Sequence, residues 1–260
     1  MIRQLHHPSG DRGGAINPHH FRYYDLLVHM FVVVLLVSNL VAQKICAIGP
    51  FEIGGQVFGP YYLSAAQALF PITYIFGDIF VEVYGYAASR RAIWIGFFSS
   101  ALLAAMALFT TALPAAPEFQ NQAAFEQVFG FVPRVLAASL IAYWCGEFAN
   151  AFVMSKMKLL TNGKYLWTRT IGSTVVGQFV DTLVVMTVIF AGIHSFGTIM
   201  NLIFTGYIAK VVYEAAATPL TYLVVNTLKK AEGVDVYDEG ANYNPFHREP
   251  LKPDVPGDAH

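Results

Sequence analysis

The sequence has little charge. Asp, Glu, Lys and Arg make up 13% of its 260 residues, whereas soluble domains contain about 25%. The formal net charge is -1, and no basic patch interleaved with aromatic residues occurs, so the sequence does not indicate nucleic-acid binding. The two cysteines, Cys46 and Cys145, lack metal-ligand spacing and are expected to be small apolar residues. Hydrophobic residues make up 55% of the chain, and their arrangement in long runs predicts an integral membrane protein.

The sequence also lacks the motifs of intramembrane and nucleotide-dependent enzymes. It contains no His-Glu-x-x-His pair for zinc, no Gly-x-Ser-x-Gly nucleophile and no glycine-rich phosphate loop. The histidines nearest the apolar runs, His29 and His194, are isolated. We therefore expect no catalytic residue, no metal and no cofactor, and a carrier is favoured over an enzyme.

Six runs of about 20 mostly apolar residues are long enough to cross the hydrocarbon core of a bilayer. The sequence therefore predicts an all-α integral membrane protein, a bundle of six transmembrane helices. We divide the chain into a flexible tail (1–22), a membrane domain (23–230) and a disordered tail (231–260). Residues 48–62 are expected to form a short hairpin or a re-entrant loop, and 122–129 a short surface helix. The six runs are 24–43, 63–84, 92–113, 133–155, 168–193 and 199–228.

Basic residues predict which side of the membrane the loops face. If all six runs span the membrane, all but three of the sixteen Lys and Arg residues fall in the two tails and in two loops on the same side. The exceptions are Lys44, Arg134 and Lys210. Because basic residues are enriched in cytoplasmic loops, both termini are expected to be cytoplasmic.

Polar and ionisable residues lie inside the apolar runs, where a charge costs at least about 2.5–3.5 kcal/mol. They come from five of the six runs, while 92–113 offers none. Together they predict a polar cavity inside an apolar bundle, suited to a small substrate with several hydrogen-bonding edges. The candidate substrate-binding residues are Asn39, Asp78, Tyr143, Glu147, Asn150, Gln178, Asp181 and Glu214.

Four further residues are candidates for ion pairing or coupling. Asp78 and Glu82 share one helix face. Two roles are equally open for this pair: part of a substrate site, or an ion pair with a basic residue. Lys210 and Glu214 are also four residues apart and are able to neutralise each other. Lys44 is able to snorkel to the membrane surface. The four candidates are Lys44, Glu82, Arg169 and Lys210.

Several of these residues lie in segments that strongly resemble the queuosine precursor transporter family, a branch of the vitamin-uptake-transporter-like proteins. The first of these segments reads FPITYIFGDIFVEVYGY. Asn39 and Lys44 suit the pattern of the family's first helix. The resemblance covers residues 24–230. The segments that carry it are 70–86, 91–97, 169–182 and 207–222.

The resemblance implies import of 7-cyano- or 7-aminomethyl-7-deazaguanine across the bacterial inner membrane. It also implies a six-helix fold similar to the substrate-binding subunits of energy-coupling-factor transporters, working without an ATPase module. Two alternatives stay open: a vitamin-type substrate-binding subunit that needs a separate ATPase module, and an intramembrane enzyme. The expected partners are a deazapurine and membrane lipid, and the uncharged run 92–113 offers a surface for a homodimer.

A deazapurine of this kind carries a ring N–H and an amino group side by side, and one carboxylate accepts from both. Glu147, Asp181 and Glu214 are candidates for that carboxylate. Gln178 and Asn39 are candidates for the carbonyl and pyrrole edges. An aromatic side chain is expected to stack on the base, and the candidates are Tyr74, Phe76 and Tyr143.

Overall fold

The computed structural model describes residues 21–41, 44–58, 61–130, 133–190, 192 and 196–247. Of the tails expected at 1–22 and 231–260, residues 1–20 and 248–260 lie outside the described residues. The described chain is mostly helical, and the predicted surface helix is found at Gln122–Phe129. The helices are α1 (Tyr24–Val41), α2 (Phe70–Ala112), α3 (Gln122–Phe129), α4 (Pro133–Leu160), α5 (Leu166–Phe190) and α6 (Phe196–Glu232).

Two nested antiparallel hairpins connect α1 to α2. The strands are β1 (Ile45–Ile48), β2 (Phe51–Ile53), β3 (Gln56–Phe58) and β4 (Tyr61–Ser64). β1 pairs with β4, and β2 pairs with β3. In the inner turn, Gly54 and Gly55 both have positive φ angles, 61° and 79°, as a two-residue hairpin turn requires. The structure therefore shows the hairpin that is one of the two alternatives for 48–62.

Helix α2 begins later than the apolar run that predicts it. The run starts at residue 63, but β4 and a 3₁₀ helix (Ala65–Ala68) occupy its first residues. The helix starts at Phe70 and has Pro71 in its first turn. A proline is tolerated there because the first helical positions do not need an N–H donor.

Gly85 divides α2 into two arms, residues 70–84 and 86–112, which we call the first arm and the second arm. Its φ and ψ angles are 83° and 172°, a conformation that favours glycine. A Cβ atom at this position would also lie 2.8 Å from the side chain of Val236 and 2.9 Å from that of Asp238. A single glycine thus replaces the loop expected between the second and third apolar runs.

The two arms fold back on each other. A straight helix over Ile72–Ala112, which has 41 residues, would measure roughly 60 Å, about twice the hydrocarbon thickness of a bilayer. Instead, the ring of Phe31 in α1 lies 6.1 Å from the ring of Phe76 in the first arm. The same ring lies 3.1 Å from the Cβ position of Gly96 in the second arm. One α1 side chain reaches both arms only because they run back to back.

The start of α1 and the end of α6 meet at one end of the bundle. The backbone N–H groups of Arg22 and Tyr23 donate to the Glu232 carboxylate at 3.0 and 2.8 Å. We call this end the basic end, and its buried or partly buried basic residues include Lys158, Arg169 and Lys229.

Three helical stretches of the described chain have the length and apolar composition of a membrane span: Tyr24–Val41, Ile72–Ala112 and Leu166–Val188. The second stretch contains both arms of α2. Helices α4 and α6 are also long enough, at 28 and 37 residues, although they are more polar. The protein is therefore a helical, multi-pass membrane protein.

Residues 233–247 belong to the tail that the sequence predicts to be disordered after residue 230. They lie against the basic end, where the buried Asp238 carboxylate accepts from the backbone N–H of Tyr86 at 2.9 Å. The indole N–H of Trp94 donates to the Pro245 carbonyl at 2.8 Å. The polar composition of this segment predicts disorder; in the structure its polar groups accept from donors at the ends of the helices.

Candidate substrate cavity

A cavity of about 270 Å³ lies inside the helix bundle, between α1, the first arm of α2, α4, α5 and α6. Its volume is just below the range of roughly 300–1,000 Å³ that is typical of small-molecule sites. Its walls combine carboxylates, carboxamides, hydroxyls and one ammonium group with apolar side chains. This is the polar cavity in an apolar bundle that the sequence predicts.

The structure brings most of the predicted binding residues to this cavity. Lys210, a candidate for ion pairing or coupling, lines it as well. Glu214 is the exception, because its side chain is fully buried but does not line the cavity. The predicted binding residues that line the cavity are Asn39, Asp78, Tyr143, Glu147, Asn150, Gln178 and Asp181.

Two glycines let α4 and α5 approach closely enough for both helices to reach the cavity. A Cβ atom at Gly146 would lie 2.8 Å from the Cβ of Asp181, and one at Gly177 would lie 2.7 Å from the Cβ of Asn150. Small residues at such contacts are typical of membrane helix pairs. The close contact puts carboxylate and carboxamide side chains from both helices in one cavity.

Two more glycines leave room for α4 side chains. A Cβ atom at Gly77 would lie 3.4 Å from Oε2 of Glu147, and one at Gly96 would lie 2.5 Å from the hydroxyl oxygen of Tyr143. The Tyr143 hydroxyl donates to the carbonyl of Ile93 at 3.3 Å. The two arms of α2 therefore accept the polar face of α4 without steric conflict.

Lys210 pairs with Asp181. Its Nζ atom lies 2.5 Å from Oδ2 of Asp181, and the two side chains keep 18% and 23% of their surface exposed. Helical spacing suggests a pair with Glu214, but α5 offers Lys210 a closer carboxylate. The ion pair joins α5 to α6 at the cavity wall, so Asp181 is already engaged before a substrate binds.

Two of the three candidate stacking residues line the cavity, Tyr74 and Tyr143. The Tyr74 hydroxyl donates to Oε1 of Gln178 at 3.2 Å. Phe76 instead stacks on Phe80 in the apolar core, with ring centroids 6.2 Å apart. Two residues along a helix correspond to a rotation of about 200°, so Tyr74 and Phe76 face opposite ways.

Glu82 belongs to an ionic cluster at the basic end. Its carboxylate accepts from the guanidinium of Arg169 at 2.6 and 2.7 Å, and it also pairs with Lys229. The Nζ atom of Lys158 lies 3.8 Å from Glu82 and 2.6 Å from Asp235. These contacts favour ion pairing over substrate binding for Glu82 and Arg169, and they join the first arm, α4, α5 and α6.

The ionic cluster also affects the ionisation of Asp235. Burial raises the pKa of this carboxyl group, but the ammonium groups of Lys158 and Lys229 lower it more, so its pKa lies below the usual range.

Lys44 is far from this cluster in the chain, follows α1 and is exposed. It does not line the cavity, which suits a residue that snorkels.

Sequence reasoning missed several of the cavity residues that carry no charge. Ser139 precedes Tyr143 by one helical turn, and Leu35 precedes Asn39 by one turn. Extending each predicted polar face by a turn could have found them. The missed residues include Phe31, Leu35, Ser38, Thr73 and Ser139.

Comparisons with known proteins show that the chain is similar to transporters. A family model described as "Putative vitamin uptake transporter" matches residues 64–224, more than half of the chain. A curated protein of Bacillus subtilis (strain 168), named "Probable queuosine precursor transporter", is 30% identical over 146 residues. That match covers 56% of this chain and 64% of the relative, so the chain spans slightly less than two thirds of the relative's length. No solved structure matches the chain.

Proposed function

Because the chain belongs to the vitamin uptake transporter family, we propose that it imports the queuosine precursors 7-cyano-7-deazaguanine and 7-aminomethyl-7-deazaguanine. The observation that carries the proposal is the polar cavity, in a chain similar to a protein named as a queuosine precursor transporter. Membership of a transporter family also agrees with the lack of catalytic motifs in the sequence, so a carrier is favoured over an intramembrane enzyme.

The proposed topology has six spans in the bacterial inner membrane, with both termini in the cytoplasm. The spans are α1, the first arm, the second arm, α4, α5 and α6. Support comes from the meeting of the start of α1 with the end of α6. The basic residues at the same end suit a cytoplasmic face, and the β-hairpins and α3 then face the other side.

Glu147 is the cavity carboxylate that we assign to the amino and ring N–H edge of the base. One ionised carboxylate accepts both of these donors. Asp181 is already paired with Lys210 at 2.5 Å, and Glu214 does not line the cavity. In contrast, no ion pair of Glu147 is found in the described part of the chain.

The remaining edges of the base are assigned to carboxamide and aromatic side chains. Asn39 and Gln178 offer donors and acceptors to the carbonyl and pyrrole edges, and both line the cavity. Tyr74 and Tyr143 offer aromatic faces for stacking. The volume of about 270 Å³ favours a single fused ring system over a whole nucleoside.

The position of the cavity supports alternating access. In α1 the lining residues run from Phe31 to Asn39, and in α4 from Ser139 to Asn150, so the cavity lies in the half of the bundle away from the basic end. The ionic cluster around Glu82 joins four helical segments at the basic end. Import then requires this cluster to open while the other side of the cavity closes.

A strain that cannot make the precursor tests the substrate assignment. When 7-cyano-7-deazaguanine is supplied at low concentration, only cells that express the protein should contain queuosine-modified transfer RNA, measured by mass spectrometry of its nucleosides. Cells with the Glu147→Gln variant at equal membrane abundance are the matched control. Equal modification in cells without the protein would refute the substrate assignment.

A vitamin-type substrate-binding subunit is the second candidate, since the family model is described by vitamin uptake. Such a subunit would copurify with an ATPase module and would transport only in the presence of ATP. Proteoliposomes that contain the purified chain alone separate the candidates. Uptake of the deazapurine without ATP supports the carrier, and strictly ATP-dependent uptake through an added module supports the subunit.

A homodimer remains part of the proposal. The outward face of the second arm is apolar, with Phe98, Leu102 and Phe109 exposed by 63%, 64% and 57%. Lipid chains cover this face in a monomer, and a second copy covers it in a dimer. Disulfide crosslinking of the Leu102→Cys variant in native membranes should give a dimer band, and its absence would favour the monomer.

A further inference from the structure

Two carboxylates, Asp78 in the first arm and Glu214 in α6, are buried without a full set of partners. Their exposed fractions are 1% and 0%. Within the described residues, neither oxygen of Glu214 has a hydrogen-bond partner, and Oδ2 of Asp78 has none either. A buried carboxylate that is ionised but unpaired is strongly destabilised, so these two carboxylates must be neutralised by a proton or by a positively charged ligand.

The two carboxylates are neighbours. They lie close enough for their charges to interact directly, and the side chains of Asn150 and Thr170 lie beside Asp78. In the part of the chain that the structure describes, Oδ1 of Asn150 and Oγ1 of Thr170 are also without partners. Unsatisfied oxygens from the first arm, α4, α5 and α6 are therefore gathered around Asp78.

Basic side chains of α5 and α6 are already paired with other carboxylates. Lys210 pairs with Asp181 at 2.5 Å, and Arg169 pairs with Glu82 at 2.6 Å. No ion pair to Asp78 or Glu214 is found among the described residues. Two carboxylates that face each other in a buried site cannot both stay ionised without a positive charge between them.

We propose that Asp78, Glu214, Asn150 and Thr170 form a binding site for one monovalent cation of the Na⁺ class. Hard cations prefer the oxygens of carboxylates, carboxamides and hydroxyls, which are the groups present here. A proton would join only two of the five unpartnered oxygens, whereas a metal cation contacts several at once. The described residues hold no group of three or more His, Cys, Asp or Glu side chains able to bind a metal, which disfavours a divalent cation.

The role of this site rests on the proposed function. Asp78 also lines the substrate cavity, so the cation and the substrate share one side chain. A cation would neutralise Asp78 and fix its carboxylate, and by linkage each ligand would raise the affinity for the other. An inward Na⁺ gradient would then drive accumulation of the substrate without ATP.

Thermal unfolding of the purified protein in lipid nanodiscs, without substrate, tests cation binding independently of transport. NaCl is titrated against choline chloride at constant ionic strength and pH. A ligand that binds only the folded state raises the unfolding temperature, by about 5–10 °C at a hundredfold excess over its dissociation constant. We expect this rise with Na⁺ and none with choline. If Na⁺ and choline give the same unfolding temperature, the cation site is refuted.

Two nearly isosteric variants test the assigned ligands. Glu214→Gln removes one charged ligand and Thr170→Val removes one hydroxyl, so each should raise the half-saturating Na⁺ concentration at least about tenfold. Glu126→Gln in α3 is the matched control, because Glu126 is exposed and lies outside both the cavity and the proposed site, so this variant should keep the full Na⁺ response. If Glu214→Gln does not fold, Thr170→Val still tests the site. An unchanged Na⁺ response in the folded variants overturns the assignment.

Transport in proteoliposomes distinguishes sodium from proton coupling. With equal pH on both sides, an inward Na⁺ gradient should drive accumulation of 7-cyano-7-deazaguanine. Accumulation driven by a pH gradient in Na⁺-free buffer would overturn the Na⁺ assignment. If the protein binds Na⁺ but carries no deazapurine, the cation site stands and the proposed substrate is wrong.

Discussion

Two buried glutamates differ in how completely the protein satisfies their charge. Glu82 and Glu214 are both 0% exposed. Both oxygens of Glu82 accept from Arg169, at 2.6 and 2.7 Å, and Lys229 adds a further ion pair. Neither oxygen of Glu214 has a partner in the described part of the chain. The carboxylate of Glu82 therefore has all its partners within the protein, whereas the proposed cation site leaves the carboxylate of Glu214 to be satisfied by a ligand.

The contrast separates structure from function within one membrane domain. Asp78 lies one helical turn from Glu82, yet it lines the cavity and interacts with Glu214, whereas Glu82 pairs with the basic cluster. An ionisable residue in a membrane helix is a candidate functional residue, but its partners decide which role it has. We therefore expect changes at the two regions to affect different measurements.

Replacing Glu82 with Gln should have the largest effect. The change leaves Arg169, Lys158 and Lys229 close together without their shared carboxylate, and breaking a buried ion pair costs about 3–5 kcal/mol. Glu214→Gln in Na⁺-free buffer should not lower stability, because it removes a buried charge that has no partner. Unfolding temperatures in nanodiscs measure both variants. The comparison fails if Glu214→Gln is the less stable of the two.

Replacing Glu147 with Gln should have the next largest effect, and it should act on uptake rather than on stability. The loss of a hydrogen bond to a charged group weakens recognition about tenfold to hundredfold. Initial rates of 7-cyano-7-deazaguanine uptake measure the change. Glu126→Gln in α3 is the control, since Glu126 is exposed and should keep the wild-type rate. Wild-type uptake by Glu147→Gln would exclude this carboxylate from recognition.

Replacing Asp238 with Ala tests whether the C-terminal segment belongs to the basic end. The change removes the acceptor for the Tyr86 N–H and for the Ser155 hydroxyl, at 2.9 and 2.6 Å. Buried donors without partners cost about 1–3 kcal/mol, so the unfolding temperature should fall. The exposed neighbour Glu239 provides the control variant Glu239→Ala. Equal unfolding temperatures for the two variants would mean that the segment adds no stability.

The smallest effect concerns pH at the basic end. The pKa of Asp235 is lower in the folded protein because of Lys158 and Lys229, which outweigh the effect of burial. Its contribution is therefore full above the ordinary carboxyl pKa and is lost as the pH falls through the lowered value. Asp235→Asn should flatten the acid part of the stability curve and leave the neutral part nearly parallel to wild type. An unchanged slope between pH 5 and pH 3, roughly the range in which carboxyl groups titrate, would rule out this linkage.

The cavity residues were predictable because a charge is hard to accommodate inside an apolar run. Asp78, Glu147 and Asp181 each interrupt such a run, and helical spacing assigns each to a face that must be buried or wet. The uncharged lining residues gave a weaker signal, since Ser and Thr are able to satisfy their own hydroxyls within a helix. Ser139 and Thr73 were missed for this reason.

The partners of the charged residues could not be predicted, because they depend on how separate helices are aligned. Lys210 pairs with Asp181 since α5 and α6 meet at that level, which spacing within α6 does not reveal. The reversal at Gly85 depends on contacts with Val236 and Asp238. Those contacts come from a polar segment whose composition predicts disorder, so local patterns could not reveal them.

Equilibrium binding of 7-cyano-7-deazaguanine to the purified protein tests the central claim most directly. The claim is that the cavity binds the base through a carboxylate that the protein leaves unpaired. Isothermal titration in saturating Na⁺ should give one saturable site per chain for wild type and for Glu126→Gln, and a much weaker site for Glu147→Gln. Equal affinity in wild type and Glu147→Gln, or no binding to wild type, would contradict the claim.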